Sequence, residues 1–388
     1  MGEDDELYLL MCKDYPVLSF SYDHEAHVPI RIVEVFDPAH APVALFAPDR
    51  GHPIGRKQLL TWWRDRSIPF TRDNFRAMRL GLGVDDMAAL LEASNALSLS
   101  DRYWVKGVGD GRTWAQVNFF DNDFDDELGL VTLGQTSSAA THRNPSSSLV
   151  GDLRKMWTIE GGERVLLKAG RGAMNQEPYN ELIATKIHEL LLESGTFVPY
   201  TLVTRGRMVY SRCPLMLEAD EELVPAWDLR RVAPKLNTEN WYQFYVRVLE
   251  GLGISDGARA VDEMIVCDYL IGNHDRHWNN FGVIRNVETR QFVRVAPLFD
   301  MGGSLWCNVP LLDAPIDFAY EALPFMGDCT RPERQLRLVR DLTWLDRVAI
   351  RTLPGIVNDV LATNPTISES RRDAITHEVT RRVTLVAG

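Results

Sequence analysis

The sequence predicts an α+β fold in which a small β-rich lobe precedes a larger α-rich lobe, with an extra α/β domain on the N-terminal side. Short strands separated by turns follow a Ser- and Asn-containing stretch, and apolar residues recur with helical spacing from about residue 226. The 388 residues are 45% hydrophobic and 25% charged, as in an ordinary globular protein of two or three domains. We therefore divide the chain into 1–133, 134–149, 150–225 and 226–388.

The N-terminal accessory domain, residues 1–133, is rich in tryptophan and phenylalanine. Apolar spacing predicts a short helix over 59–66, ending near Pro69, and a longer helix over 78–97. The pattern favours a structural domain over a catalytic one. Its core is expected to contain the large aromatic residues Trp104, Trp114, Phe119 and Phe120.

The stretch 134–149 is typical of a linker, because Ser, Thr, Asn, Gly and Pro are dense there between two patterned segments. The β-rich lobe, 150–225, is predicted to hold two β-hairpins separated by a helix that has one apolar stripe. The expected elements are the hairpin 155–160 with 164–169, the helix 177–193 and the hairpin 200–204 with 208–212.

The α-rich lobe, 226–388, begins with apolar residues at i, i+3, i+4, i+7 and i+8 from Trp241, which predicts a helix that buries one face. Ser255 is expected to cap the following helix, which runs into Leu270. The charged segment 368–385 predicts a surface helix with a thin apolar stripe.

The net charge of −12 argues against a general affinity for nucleic acid or an anionic membrane. The five cysteines are odd in number and have no CxxC spacing, which favours a reducing compartment over a disulfide framework or a structural zinc site. Three of the first five residues are acidic where a signal peptide is basic, and no apolar run reaches the length of a membrane span. We therefore expect a cytoplasmic protein.

The most informative stretch is Asn273-His274-Asp275-Arg276-His277-Trp278-Asn279-Asn280. Two short predicted strands, 282–285 and 292–296, come after it, and then the segment Pro297-Leu298-Phe299-Asp300. Asp275 and Asn280 have the aspartate–asparagine spacing of kinase catalytic loops. One carboxylate can orient an acceptor hydroxyl, while the asparagine and Asp300 can hold a metal. This order of helix, loop, hairpin and aspartate predicts a phosphoryl-transfer site that uses ATP and Mg²⁺.

A lysine and a glutamate upstream fit the same chemistry. Lys168 ends an apolar strand, and Glu181 lies thirteen residues later in the following helix. A strand lysine that pairs with a helix glutamate holds the α- and β-phosphates of ATP in kinases. Alone this pair is a weak signal, because a lysine at the end of a strand is often only solvated, but the loop downstream strengthens it.

The remaining nucleotide contacts have weaker signals. Gly151 and Lys155 belong to the best candidate for a phosphate-covering loop, although the chain has no standard nucleotide fingerprint. Glu218 lies in the segment 214–219, where the adenine is expected. His277 is assigned to the same nucleotide site, where it fixes the loop by hydrogen bonds. A zinc site with His274 is disfavoured, because three residues of one loop rarely converge on one ion.

With these residues the chain resembles the HipA-like serine/threonine kinases over roughly residues 145–340, on the motifs around Lys168, Glu181, Asp275 and Asp300. The resemblance implies a two-lobed protein-kinase-like fold with ATP and Mg²⁺ as cofactors. It implies that Asp275 is the catalytic aspartate, that Lys168 contacts phosphate and pairs with Glu181, and that Asn280 and Asp300 bind magnesium.

Two further parts of the chain match features of that family. A serine-bearing loop before the lysine strand can be autophosphorylated in these kinases, and residues 146–148 loosely match it. The segments 59–72, 99–104 and 117–120 are similar to an N-terminal region found on some HipA-like proteins of bacteria.

The same motifs are compatible with more than one function. The loop from Asp275 to Asn280 is also similar to that of phosphatidylinositol kinases, but the segment 301–330 contains no lysine or arginine to meet an anionic headgroup. A small-molecule kinase is also possible, and so is a pseudokinase that only senses nucleotide. The expected partner is a protein substrate, phosphorylated on serine or threonine.

Overall fold

The computed structural model describes residues 6–45, 54–84, 86–135, 143–309, 323–326 and 331–388. Across these residues the chain is a mixed α/β protein with three antiparallel sheets. The strands are β1 Glu6–Cys12, β2 Tyr15–Asp23, β3 Val28–Val35, β4 Tyr103–Gly107, β5 Lys155–Glu160, β6 Glu163–Lys168, β7 Thr201–Arg205, β8 Met208–Pro214, β9 Glu221–Pro225, β10 Gly282–Asn286 and β11 Phe292–Val295.

The helices precede the second sheet, separate its two hairpins as α6, and dominate the C-terminal part. They are α1 Arg56–Asp65, α2 Phe75–Leu82, α3 Ala88–Ala93, α4 Trp114–Val117, α5 Glu127–Leu133, α6 Glu177–Leu191, α7 Ala226–Leu229, α8 Trp241–Gly251, α9 Gly257–Ile271, α10 Pro332–Leu336, α11 Leu353–Ala362 and α12 Glu369–Ala387.

The first sheet has the strand order β3-β2-β1-β4, and α1 packs against it through Trp62 and Trp63. The expected aromatic cluster forms beside this sheet, where Trp104, Trp114 and Phe119 are buried with Phe120 packed against them. The single helix predicted over 78–97 is wrong. The structure has α2 and α3 there, because Gly83 adopts φ +64° and ends α2 in a left-handed turn.

The second sheet has the order β5-β6-β8-β7, and both predicted hairpins are present with shifts of one or two residues at their ends. In the β5–β6 register Lys155 lies opposite Lys168. Directly opposite residues of an antiparallel pair point to the same face, so both lysine side chains leave the sheet on one side. Helix α6 packs beside this sheet.

The predicted linker 134–149 is described at 134–135 and 143–149. Residues Pro145–Ser148 form a buried 3₁₀ helix, in which Ser146 Oγ accepts a hydrogen bond of 3.0 Å from the Trp157 backbone N–H. This part of the stretch is therefore packed against β5. The boundaries of the linker stay a prediction.

The third sheet has the order β11-β10-β9, and β9 was not anticipated from the sequence. A large apolar core joins α6, α8, α9, α11 and α12 beside it. The C-terminal helix contributes Ile375, Val379 and Val383 to that core, so its apolar stripe is covered. Ser255 does not cap α9, whose N-cap is Asp256.

The N-terminal region is attached to the third sheet by polar contacts that are buried around Arg285 and partly exposed around Lys13. Arg285 of β10 pairs with Glu222 of β9 and donates 2.7 Å and 3.2 Å hydrogen bonds to Tyr103 Oη and the Ala41 carbonyl. Lys13 forms 2.6 Å ion pairs with Asp220 and Glu288. These contacts fix the first sheet relative to the chain that carries β9 and β10.

Four cysteines, Cys12, Cys213, Cys267 and Cys307, are free thiols, and Cys329 lies outside the described residues. In the part of the chain that the structure describes, no helix has both the length and the apolar character of a membrane span.

Candidate active site

Lys168, the last residue of β6, forms the centre of the candidate site. Its ammonium donates to Glu181 Oε1 and to Asp300 Oδ1, and the side chain is almost fully buried. Burial acts to lower the pKa of Lys168, but the two neighbouring carboxylates outweigh burial and hold the pKa above its ordinary value. Lys168 is therefore a fixed cation that joins strand, helix and loop.

Helix α6 orients both Lys168 and the segment after Asp300. Glu181 accepts the Lys168 ammonium on one oxygen, and its other oxygen accepts a 2.9 Å hydrogen bond from the Met301 backbone N–H. Asn180, the residue before it, donates 2.8 Å hydrogen bonds to the carbonyls of Gly302 and Ser304. Two adjacent helix residues thus hold the chain that follows Asp300.

Asp300 has a left-handed backbone, with φ +59°. Its N–H lies 3.4 Å from Tyr200 Oη, and the Tyr200 ring lies 5.4 Å from the Lys168 ammonium. Burial would raise the pKa of Asp300, but Lys168 and then Lys155 hold the pKa well below its ordinary value. A carboxylate kept ionised in a sparsely populated backbone conformation is a feature of functional sites.

The loop after α9 presents Asp275. Asn273 accepts a 3.1 Å hydrogen bond from the Asp275 N–H, and its amide donates to Asp268 of α9 at 2.7 Å. The Asn280 amide donates to the Asp275 carbonyl at 2.9 Å, which closes the loop. Gly303 packs so closely that a Cβ there would lie 2.8 Å from Asp275 Cβ. Asp275 is therefore held next to the segment that carries Asp300.

Arg276 lies within the loop motif, although the sequence pattern gave it no role. Its buried guanidinium pairs with both oxygens of Asp268, at 2.9 and 3.0 Å. The Nη1 atom also donates to the Asn280 carbonyl and, at 2.9 Å, to the Phe299 carbonyl. One side chain thus joins α9, the end of the loop and the residue before Asp300. No local pattern marks Asp268 as its partner.

Two histidines, His274 and His277, flank Asp275 in the sequence. His277 is exposed, with Nε2 3.9 Å from Asp275 Oδ1, and its Nδ1 accepts a 3.2 Å hydrogen bond from the Asn279 N–H. This fits its expected role in shaping the loop. His274 is buried, its N–H donates to the Gly303 carbonyl at 2.9 Å, and its Nε2 lies 3.8 Å from Cys307 Sγ.

Lys155 and Gly151 lie on the same side of the second sheet as Lys168. Lys155 is buried opposite Lys168, and a Cβ at Gly151 would lie 3.0 Å from the Lys155 ammonium. Burial lowers the pKa of Lys155 to about 7, and Asp300 is the largest influence that opposes burial. Gly151 has φ +92°, a conformation that favours glycine. Gly151 in the loop 151–154 therefore lies against the buried Lys155 ammonium.

Glu218 is not joined to these residues by any contact among the described residues. It is exposed in the connection between β8 and β9, where its carbonyl accepts from Arg102 and its N–H donates to Glu221 at 3.1 Å. Met216 in this connection and Phe299, the residue before Asp300, pack against the same two small apolar clusters.

The residues proposed for magnesium offer suitable atoms. Asp300 and Asn280 supply a carboxylate and an amide oxygen, the oxygen donors that Mg²⁺ prefers. Because the Asn280 nitrogen already donates to the Asp275 carbonyl, its oxygen is the atom left for a cation. Mg²⁺ in such sites takes one or two protein ligands and completes its shell with phosphate and water. No group of three or more His, Cys, Asp or Glu among the described residues could hold a metal.

Comparisons with known proteins give little further information. No protein-family model matches the chain, and no curated protein matches it. Among solved structures it is similar to a crystal structure titled as the Helicobacter pylori proinflammatory kinase CtkA, with 15% sequence identity and a TM-score of 0.44. That match covers 60% of this chain and 92% of the other. A likeness at this TM-score does not establish what this chain does.

Proposed function

We propose that this protein is a HipA-like kinase that transfers the γ-phosphoryl group of ATP to a serine or threonine of a protein, with Mg²⁺ as the cofactor. The sheet with β5–β8 and α6 would form the small lobe, and the helical core with β9–β11 the large one. The five side chains that carry this proposal are spread over more than one hundred positions. Lys168, Glu181 and Asp300 are in direct contact, and Arg276 and Gly303 connect the loop of Asp275 and Asn280 to the segment around Asp300.

The observation that carries the proposal is the position of Lys168 between Glu181 and Asp300. Such a pairing serves ATP phosphates in kinases, because the glutamate aims the lysine while the aspartate binds the metal. Asp275 lies against Gly303, three residues after Asp300, which supports one shared cleft. A purely structural ion pair would not require the loop from Asp275 to Asn280, which Arg276 connects to the Phe299 carbonyl.

The roles of the side chains follow from their charge and exposure. The Lys168 ammonium would bind the α- and β-phosphates. Asp275, whose side chain is about half exposed at 46%, would orient the substrate hydroxyl and accept its proton late in the transfer. Asn280 and Asp300 would hold Mg²⁺, which when bound offsets negative charge on the phosphates. Catalysis would then depend mainly on positioning and electrostatics.

The charge of the segment after Asp300 favours one class of substrate. The segment 301–330 follows Asp300 and contains acidic residues without any lysine or arginine. An inositol-lipid headgroup is anionic and would be repelled there, whereas a neutral or basic peptide would not. A protein serine or threonine is therefore favoured over a phosphoinositide.

The test is incubation of the full chain with radiolabelled ATP and Mg²⁺, a generic basic protein and, separately, inositol-lipid vesicles. Wild type should label the protein, while the labelling rate of Asp275→Ala and of Asn280→Ala should be at least about 100-fold lower. Asn279→Ala is the matched control, since Asn279 is the exposed neighbour of Asn280 and should retain activity.

Three outcomes would overturn this assignment. ATP-induced thermal stabilisation without any labelling would indicate a nucleotide sensor. Label on the lipid and not on protein would indicate a lipid kinase. Equal labelling by wild type and Asp275→Ala would remove Asp275 from the chemistry.

A further inference from the structure

Arg72 is a buried cation outside the set of residues that the proposed chemistry requires. It lies between α1 and α2 and is 3% exposed. Its Nη2 donates a 2.5 Å hydrogen bond to the Leu149 carbonyl, while Nε and Nη1 are buried without a hydrogen-bond partner among the described residues. Buried guanidinium N–H groups are normally paired, because leaving one unpaired costs free energy. Two unused donors therefore indicate a missing acceptor.

The residues on either side of Arg72 fix it against the loop that covers Lys155. Thr71 Oγ1 donates to the Asp152 carboxylate at 2.6 Å, and the Asp73 N–H donates to the Asp152 carbonyl at 2.8 Å. Arg154 adds an ion pair to Asp73 at 3.1 Å. The N-terminal segment is thus attached to the loop 149–154 at several points, and Arg72 is in the middle of them.

The charges around Arg72 favour an anionic acceptor. Burial lowers the pKa of Arg72 to about 10, and Asp152 is the carboxylate that opposes burial. Burial is the main cause of the lowered pKa of Lys155, and the positive charge of Arg72 lowers this pKa further, whereas Asp300 acts to raise it. Lys168 already has Glu181 and Asp300. Arg72 and Lys155 are two further buried cations near it, and among the described residues neither forms an ion pair with a carboxylate.

We propose that Arg72 donates hydrogen bonds to the triphosphate of the bound nucleotide, so that the N-terminal region completes the phosphate site from outside the kinase lobes. This inference rests on the proposed function. The guanidinium is a planar fork that suits two phosphate oxygens, and Gly151 and Lys155 bring the covering loop to the same place. Arg72 is thus a phosphate-binding residue carried by a region for which the sequence predicted only a structural role.

The test measures the affinity of the full chain for ATP and for adenosine by calorimetry. Arg72→Gln should weaken ATP binding about 10- to 100-fold, the range for a hydrogen bond to a charged group, and leave adenosine binding unchanged. Arg76→Gln, at an exposed arginine on α2, is the matched control and should bind both ligands like wild type.

The outcomes separate this inference from the proposed function. If wild type does not bind ATP, the kinase proposal fails. If wild type binds ATP and Arg72→Gln binds it equally well, only the role of Arg72 is refuted. Equal weakening of ATP and adenosine binding would show that Arg72 only supports the fold, which also refutes it.

A second measurement uses the wild-type protein and therefore does not depend on whether Arg72→Gln folds. The Nε–Hε resonance of Arg72 in wild type is identified as the arginine signal that the conservative variant Arg72→Lys lacks. That resonance should shift on addition of ATP and stay in place on addition of adenosine. An unmoved resonance at saturating ATP would overturn the inference.

Discussion

Lys155 and Lys168 lie directly opposite each other on neighbouring strands, yet their pKa values are shifted in opposite directions. Burial lowers the pKa of Lys155 to about 7. Burial acts on Lys168 too, but Asp300 and Glu181 outweigh it and raise the pKa above the ordinary value. At neutral pH Lys168 is therefore always charged, whereas Lys155 is close to losing its proton.

We predict that ATP binding takes up protons at pH 8 through Lys155. At that pH Lys155 is mostly neutral, and an incoming triphosphate favours its charged form. Uptake should approach one proton at pH 8 and become small at pH 6, where Lys155 is already charged. Calorimetry in buffers of different ionisation enthalpy measures the uptake. Lys155→Met should abolish the difference between the two pH values, and an unchanged difference would exclude Lys155 as its source.

Replacing Lys168 should destabilise the fold in a pH-dependent way. Lys168→Met leaves the Glu181 and Asp300 carboxylates together without their cation, a loss of about 3–5 kcal/mol for a broken buried pair. The loss should be smaller at pH 5 than at pH 7, because one of the two carboxylates can then take up a proton. Urea denaturation at both pH values measures it.

The control for that variant is Lys186→Met, at an exposed lysine on α6, which should change the free energy of unfolding by less than about 0.5 kcal/mol. If Lys168→Met is as stable as this control at pH 7, the described ion pair does not exist in solution.

Gly303 should be intolerant of even one methyl group. A Cβ there would lie 2.8 Å from Asp275 Cβ, so Gly303→Ala should push Asp275 out of position and lower kcat about 100-fold. Gly355→Ala, within α11 and with open space around it, should leave kcat unchanged. Steady-state kinetics measures kcat for both variants, and equal values would argue against close packing at Asp275.

Arg276 should not be replaceable by lysine. Arg276→Lys loses the two-oxygen contact with Asp268 and the bonds to the Asn280 and Phe299 carbonyls, so we expect a loss of about 3 kcal/mol and little activity. The matched change Arg294→Lys affects a partly exposed pair with Glu221 and should cost at most about 1 kcal/mol. Similar thermal unfolding of both variants would contradict this.

The elements around the candidate site were predictable where the local pattern is strong. The hairpin that carries Lys155 and Lys168 has a Gly161-Gly162 turn between two strands, and α6 has a clear apolar stripe. Strand β2 was not anticipated, because six consecutive residues are buried and the usual alternation is missing. Strand β9 begins with Glu221 and Glu222, whose charges are acceptable only because Arg294 and Arg285 pair with them.

The residues that position the site were harder to find than those that would carry out the chemistry. Asp275, Asn280 and Asp300 have a recognisable spacing in the chain. The partner of Arg276 is an ordinary-looking aspartate on α9, and Arg72 meets the loop 149–154 only after folding. Contacts between segments far apart in sequence leave no local pattern, so only the folded chain reveals them.

The most direct test of the central claim compares ATP affinity with and without Mg²⁺ in wild type and in Asp300→Asn. The account predicts that Mg²⁺ tightens ATP binding at least about tenfold in wild type and has little effect in Asp300→Asn, because Asp300 supplies the charged protein ligand. Absence of ATP binding in wild type, or an equal effect of Mg²⁺ in both proteins, would contradict it.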